Sequence, residues 1–167
     1  MHDPIRRSKR ALSEEKARAI LEKGEYGVLS LQGEEGEPYG IPLSYVVLDD
    51  FIYFHCAMEG RKIHCIEYSP HVSFCVVGRV QPKHRPLYFT TLYESAIVTG
   101  TAQPVENVEE KTWALICLCK KYFPELIPEV EEEARQSAHQ SMDRTGIYRI
   151  SIEEISGKSN IPQEEGQ

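Results

Sequence analysis

The sequence predicts a mainly β protein, an antiparallel barrel of about six strands with helices at its flanks. Two observations predict it. Runs rich in aromatic and β-branched residues recur from Tyr26–Leu31 through to Gly146–Ile152, and such runs read as strands. Helical patterns are fewer: one opens the chain, one short one follows the third strand, and the rest crowd towards the C-terminus. A doubly wound parallel sheet would need a helix between most strands.

Residues 1–12 read as a mobile arm, 13–157 as a single domain and 158–167 as a disordered tail. Ser13 is a predicted N-cap, with Glu14 and Glu15 in the first helical turn. Ala17, Ile20 and Leu21 form the apolar stripe, and Gly24 closes the helix. Tyr26–Leu31 is the first strand, and Gly33–Gly36 a turn. The second strand, Pro38–Leu48, is expected to be interrupted at Pro42, because proline cannot donate to a ladder. Asp49-Asp50 turns the chain into a third strand, Phe51–Cys56. In that hairpin Pro42–Tyr45 is expected opposite His55 and Cys56, near the following turn. Ile63 and Ile66 mark a short helix that Ser69-Pro70 stops. His71–Val77 is a fourth strand, Gly78–Pro86 a polar loop, and Leu87–Val105 a long strand. Asn107 caps a helix up to Tyr122, and an acidic helix runs over Glu129–Ser141.

Length and charge narrow the function classes. A chain of 167 residues suggests one domain with a sizeable core. A net charge of −7 disfavours bulk nucleic-acid binding, since no basic excess displaces counterions. Arg6, Arg7, Lys9 and Arg10 crowd the N-terminus, and Glu129–Glu133 is acidic; both read as solvated segments. No apolar run is long enough to cross a bilayer, and the N-terminus lacks a signal-peptide core. The five cysteines include no CxxC pair. Reduced thiols and a cytoplasmic location are the expectation.

The most informative stretch is the turn into the short helix. Gly60, Arg61 and Lys62 stand at its start. The macrodipole is already positive there, so two cations are unfavourable unless an anion joins them. A glycine that lets backbone approach and two cations at a helix N-terminus suit a phosphate. The plainer alternative is a solvated basic pair. His55 likewise has two readings: it braces the turn, or it touches a ligand and supplies a proton. The repeated His-Cys dipeptides, His55-Cys56 and His64-Cys65, do not match zinc spacing. Trp113 reads as core or interface. Neither GxGxxG, Walker A nor a Gly-x-Ser-x-Gly elbow occurs.

Several stretches together carry a family resemblance. They are Tyr39–Tyr45, Ile52–His55, Glu59–Lys62 and Ser69–Phe74. Tyr93-Glu-Ser95 with Gly100, and Tyr148–Ile152 with Gly157-Lys158, extend them. The chain resembles the flavin-binding split-barrel proteins related to pyridoxamine 5'-phosphate oxidase, and within them the nitroimidazole-resistance (Nim) branch. The resemblance implies flavin mononucleotide (FMN) at the interface of a homodimer. It implies that Ile41, Pro42, Leu43 and Ser44 line the isoalloxazine. It implies that the turn from His55 through Cys56 and Ala57 to Gly60, Arg61 and Lys62 holds the phosphate. Tyr93 or Ser95 would add a hydroxyl to the same site, and His55 would lie near the flavin.

The function this implies is an oxidoreductase passing two electrons from reduced flavin to a small acceptor such as a nitroaromatic. A nicotinamide donor would bind only transiently. A non-catalytic flavin store or sensor is the alternative. Pyridoxamine phosphate oxidation is disfavoured, because a phosphorylated substrate needs a second anion site. No second strong Arg/Lys cluster sits in the predicted strands, and Lys83, His84 and Arg85 in a loop are the only candidates for such a site.

Overall fold

The computed structural model describes residues 5–126 and 131–162. Its strands are β1 (Ala11–Leu12), β2 (Gly27–Gln32), β3 (Pro38–Leu43), β4 (Val46–Leu48) and β5 (Phe51–Ala57), then β6 (His71–Arg85), β7 (Tyr88–Pro104), β8 (Thr145–Ser151) and β9 (Glu154–Ser159). The helices are α1 (Glu14–Lys23), α2 (Arg61–Tyr68), α3 (Val108–Tyr122) and α4 (Glu131–Ser141). All described pairings are antiparallel.

The strands follow the order β3-β2-β6-β7-β8-β5-β4. Only Ser44 and Tyr45 separate β3 from β4, so the two ends of that path are one continuous run of chain. This closes the sheet into a barrel and also splits it. β3 pairs with β2, whereas β4 pairs with β5. β7 makes the matching switch, pairing with β9 over Glu94–Thr99 and with β8 over Ala102–Pro104. The predicted antiparallel barrel with flanking helices is therefore the observed architecture.

One apolar cluster fills the barrel, with Leu29, Tyr45, Ile52, Phe54, Phe74, Val98 and Ile150 at its centre. α1 buries Ala17, Ile20 and Leu21 against it, and α2 buries Ile63, Cys65 and Ile66. A second cluster joins Tyr53, Val105 and Ile147 to Ala114 and Leu118 of α3. Phe51 and Tyr53 belong to this second cluster while Ile52 and Phe54 belong to the first. β5 is thus covered on both faces, which explains its unbroken apolar run.

The helix starts behave as expected. Ser13 Oγ accepts from the Lys16 amide at 3.4 Å, and Asn107 Oδ1 from the Glu110 amide at 2.8 Å. Gly24 does end α1, but with an ordinary φ of −62°. Its glycine is required by space: a Cβ there would lie 2.4 Å from Val76 Cγ1.

Five expectations are corrected. The second strand breaks at Ser44–Tyr45 and not at Pro42, which pairs opposite Val28. Pro42 is tolerated because β3 has a neighbour on one side only. The β4–β5 ladder stops at Val46↔Tyr53, so Ser44 is not paired opposite His55. Residues 78–86 are not a loop. β6 runs on to Arg85 after a bulge between Val77 and Val80, and Pro86-Leu87 makes the hairpin turn. Pro82 is again tolerated on an outer segment paired only with β7. Finally, both ends of the chain join the sheet. Ala11 pairs opposite Lys158 and Leu12 opposite Gly157, so the arm and tail are shorter than expected. Residues 1–4 and 163–167, together with Glu129 and Val130 of the acidic run and Pro128 before it, lie outside the described residues.

Candidate functional site

The site follows from the split. Beyond Tyr45 and Phe54 the two strands part, β3 turning to β2 and β5 continuing along β8. The Tyr45 amide, left without a strand partner, donates to the Tyr122 hydroxyl at 2.9 Å. The Tyr45 hydroxyl donates to the Leu21 carbonyl, which fixes the junction in the core. The start of α2 stands at this opening between the strands, with Arg61 over the Tyr39 ring of β3 and Lys62 near the Phe54 ring of β5. Pro42 and Ser44 are exposed there, Ile41 is partly covered, and Leu43 turns into the core.

Gly60 opens α2 with φ +124°, a conformation that side-chain-bearing residues rarely adopt. Its carbonyl accepts from the Ile63 and His64 amides at 2.9 and 3.2 Å. The amides of Arg61 and Lys62 have no carbonyl a turn behind them, and Gly60 has no side chain to cap them. Two amides and two cations thus meet at one exposed turn.

The cations diverge. Arg61 lies over the Tyr39 ring, 4.4 Å from its centroid, and its guanidinium is 3.6 Å from Glu37. That ion pair is half exposed and therefore weak, so an incoming anion displaces Glu37 at small cost. Lys62 reaches inward, with Nζ 5.4 Å from the Phe54 ring centroid. Loss of hydration pushes the His55 imidazole below its ordinary pKa, and the Lys62 charge adds to the effect. Burial pushes the Cys56 thiol up, with Lys62 opposing. Both effects disfavour the charged form of the His55 ring.

Adjacent residues on a strand point to opposite faces. His55 follows the face of Tyr53 and Cys56 that of Phe54. One ligand ring cannot meet both side chains, though it can meet the backbone between them.

Tyr93 and Ser95 do not join this opening within one chain. Ser95 pairs opposite Val77 and Lys158, and Tyr93 opposite Val80. Instead Tyr93 belongs to a group that sequence reasoning missed. The β1–β9 pairing brings Arg10 next to Lys158, and both bear on the Tyr93 hydroxyl. Partial burial opposes ionisation of this phenol, but the two cations lower its pKa. No sequence signal marks the group, because its two cations come from opposite ends of the chain and Tyr93 from the middle. Lys83, His84 and Arg85 lie on the outer arm of the β6–β7 hairpin, opposite Thr90, Phe89 and Tyr88. Trp113 meets Tyr53 edge-on at 5.9 Å and lines a cavity of about 290 Å³ between α3 and α4. Among the described residues no cluster of His, Cys, Asp and Glu could hold a metal ion.

The comparisons agree with this architecture. A similar fold occurs in a candidate 5-nitroimidazole antibiotic resistance protein from Bacteroides thetaiotaomicron, with 19% identity over 89% of this chain and 86% of that one and a TM-score of 0.73. A conserved hypothetical protein from Mycobacterium tuberculosis matches with 17% identity over 98% of both chains and a TM-score of 0.74. An FAD- and heme-binding protein from Mycobacterium smegmatis matches with 18% identity, a TM-score of 0.76, and coverage of 95% of this chain and 77% of that one. At these identities the likeness is one of fold. A search of curated proteins finds no match. The family model for pyridoxamine 5'-phosphate oxidase matches residues 13–159, nearly the whole described barrel, and the chain belongs to that family.

Proposed function

We propose that this protein binds FMN at the opening between β3 and β5 and serves as a two-electron oxidoreductase for a small acceptor such as a nitroaromatic. One observation carries the reading: the uncapped start of α2 at Gly60, where the Arg61 and Lys62 amides lie within the first turn and the same turn carries both cations. This arrangement suits a phosphate, because amides, macrodipole and charge all favour an anion there. A cradle of two amides and two cations would suit one phosphate, which favours a mononucleotide. Backbone of Ile41–Ser44 and His55–Ala57 would flank the ring. The flavin, when bound, would supply the redox chemistry. The chain would hold it, orient it and limit access to it. A nicotinamide donor would bind transiently.

A second copy of the chain would complete the site. The outer face of the β2–β6–β7 sheet exposes Val28, Val77 and Ile97. The helices pack on the barrel's inner side or beside β4 and β5. A two-fold dimer would cover that face and continue it to the opening. The five free cysteines fit a reducing, cytoplasmic setting.

A non-catalytic flavin carrier is the second reading, and the depressed His55 pKa favours it. Burial and the Lys62 charge disfavour the charged ring that would donate the proton. Titrating purified protein with FMN and with FAD tests the cofactor. Saturable FMN binding with flavin absorbance is expected, and a protein that takes up neither flavin overturns both readings. Turnover of NADPH with a nitroaromatic acceptor by the FMN-loaded protein favours the enzyme, and bound flavin without turnover favours the carrier.

A further inference from the structure

The last turn of α3 closes on the place where the barrel splits. β4 and β5 pair in one register, with Val46 opposite Tyr53, Val47 opposite Ile52 and Leu48 opposite Phe51. Continued by two residues, that register would set Tyr45 opposite Phe54 and Ser44 opposite His55. The ladder stops at Val46 instead, although Phe54 and His55 are still strand residues, paired on their other side with Tyr148 and Ile147 of β8. Among the described residues no strand pairs with the β4 side of Phe54 and His55. An open strand edge invites further pairing, so the stop at Tyr45 needs a cause.

Tyr122 supplies it. Its hydroxyl oxygen accepts from the Tyr45 amide at 2.9 Å and donates to the Glu25 carbonyl at 2.6 Å, with the Tyr45 carbonyl 3.1 Å away. An amide engaged in this way does not donate to β5. One hydroxyl thus ties together the β3–β4 junction, the link from α1 to β2 and the end of α3. The same turn of α3 covers the Tyr45 ring, with Lys121 Nζ 3.8 Å from its centroid. Within the core the Tyr45 hydroxyl donates to the Leu21 carbonyl, and the Phe74 ring meets the Tyr45 ring edge-on at 4.9 Å. Tyr45 is fully buried, so no water stands ready to replace Tyr122 at its amide. β3 is paired with β2 alone, so the placement of its end depends on where the chain is next pinned, at Tyr45.

We propose that Tyr122 is a positioning residue for the opening between β3 and β5: its hydroxyl caps the Tyr45 amide, stops the β4–β5 ladder short of Phe54, and so holds Ile41–Ser44 clear of His55–Ala57, where the flavin ring would lie. The ring's part in this rests on the flavin reading above. The walls of a ligand site must be held to within about half an ångström, and this hydroxyl is the tie nearest the wall that Ile41–Ser44 form.

Tyr122→Phe keeps the ring and removes the hydroxyl. Ile116→Ala, at a buried position of the same helix that lines the α3–α4 cavity, controls for lost stability alone. All readings are taken on folded protein, below the melting range of each variant. Hydrogen-exchange mass spectrometry without flavin should show residues 41–48 exchanging about tenfold faster in Tyr122→Phe, the effect of one buried hydrogen bond lost, and about as in the wild type in Ile116→Ala. FMN affinity should fall about tenfold in Tyr122→Phe and less than about twofold in Ile116→Ala. The visible circular dichroism of the flavin at saturation should change in Tyr122→Phe alone, because its ring then rests on a displaced wall. Exchange at residues 41–48 that is unchanged, or that rises equally in Ile116→Ala, overturns the stop at Tyr45. Faster exchange with affinity and dichroism both unchanged overturns the tie between Tyr122 and the site. A wild-type protein that takes up no flavin overturns the cofactor reading and with it the flavin role of Tyr122, while the exchange result still decides whether Tyr122 sets the split.

Discussion

The two cation groups differ in what supports them. At the α2 turn the backbone itself is polarised towards an anion, through two uncapped amides and the helix dipole. At the Arg10–Tyr93–Lys158 corner the strands' amides are largely committed to ladders, and attraction rests on side chains alone. A third cation, Lys121, marks the limit of the series. Its Nζ is buried without a hydrogen-bond partner, 3.8 Å from the Tyr45 ring centroid. Burial lowers its pKa to about 8. The difference teaches that a cation near the surface is an asset only where backbone or a hydroxyl shares the anion with it. Without that help, a buried one is a cost to stability.

The sharpest way to break the comparison is to neutralise each group and measure flavin affinity. Arg61→Gln/Lys62→Gln should weaken FMN binding by a hundredfold or more, as charge-assisted contacts are worth about 1.5–3 kcal/mol each. Arg10→Gln/Lys158→Gln should change it no more than a few fold. Fluorescence titration reads both, and equal losses would merge the two groups into one site.

Gly60→Ala isolates the backbone's share. Nothing lies within 4 Å of the Cβ it would add, so the cost is conformational and not steric. Holding alanine at φ +124° should destabilise the fold by about 1–3 kcal/mol and weaken FMN binding as the turn relaxes. Denaturant unfolding with and without FMN measures the two effects.

Lys121→Met tests the unsupported cation. Its folded pKa of about 8 lies below the ordinary 10.5, so the unfolded chain binds the proton more tightly. Stability therefore rises with pH between those values, and the full penalty stands below about pH 8. The attraction of the Tyr45 ring offsets part of it. The substitution should stabilise the protein by about 1–2 kcal/mol at pH 7, with the gain shrinking from pH 8 towards 10. Thermal melts across that range decide it; a destabilised variant at pH 7 would mean that the ring holds the charge well.

The smallest effect concerns His55. Its folded pKa is depressed, so the unfolded chain protonates first as pH falls below about 6.5. Stability should decline through that window and stay level above it. His55→Gln should flatten the decline, modestly because the ring is exposed. Melting temperatures from pH 5 to 8 would show the same slope in both proteins if the histidine is not responsible.

The α2 turn was legible in the sequence because its parts are consecutive. Gly60, Arg61 and Lys62 need only a helix starting at Arg61 to come together, and local signals such as Ile63, Ile66 and Ser69-Pro70 place that helix. The strands of the barrel were legible for the same reason, since alternation and β-branching are read within a few residues. Residues 78–86 misled because their polar residues and proline look like a loop. They form a strand only because β7 lies opposite, and that partner is fixed by the register of the whole hairpin.

Length, charge, strand content and the Gly60–Lys62 turn are thus set by residues near one another in the chain. The split at Ser44–Tyr45, the opposite facing of His55 and Cys56, and the meeting of Arg10 with Lys158 were decided by strand pairing. Pairing joins residues at any separation, and its register depends on the packing of both faces of the sheet together. A single sequence holds the propensity for each strand, but which strand it finds is settled only when the barrel closes.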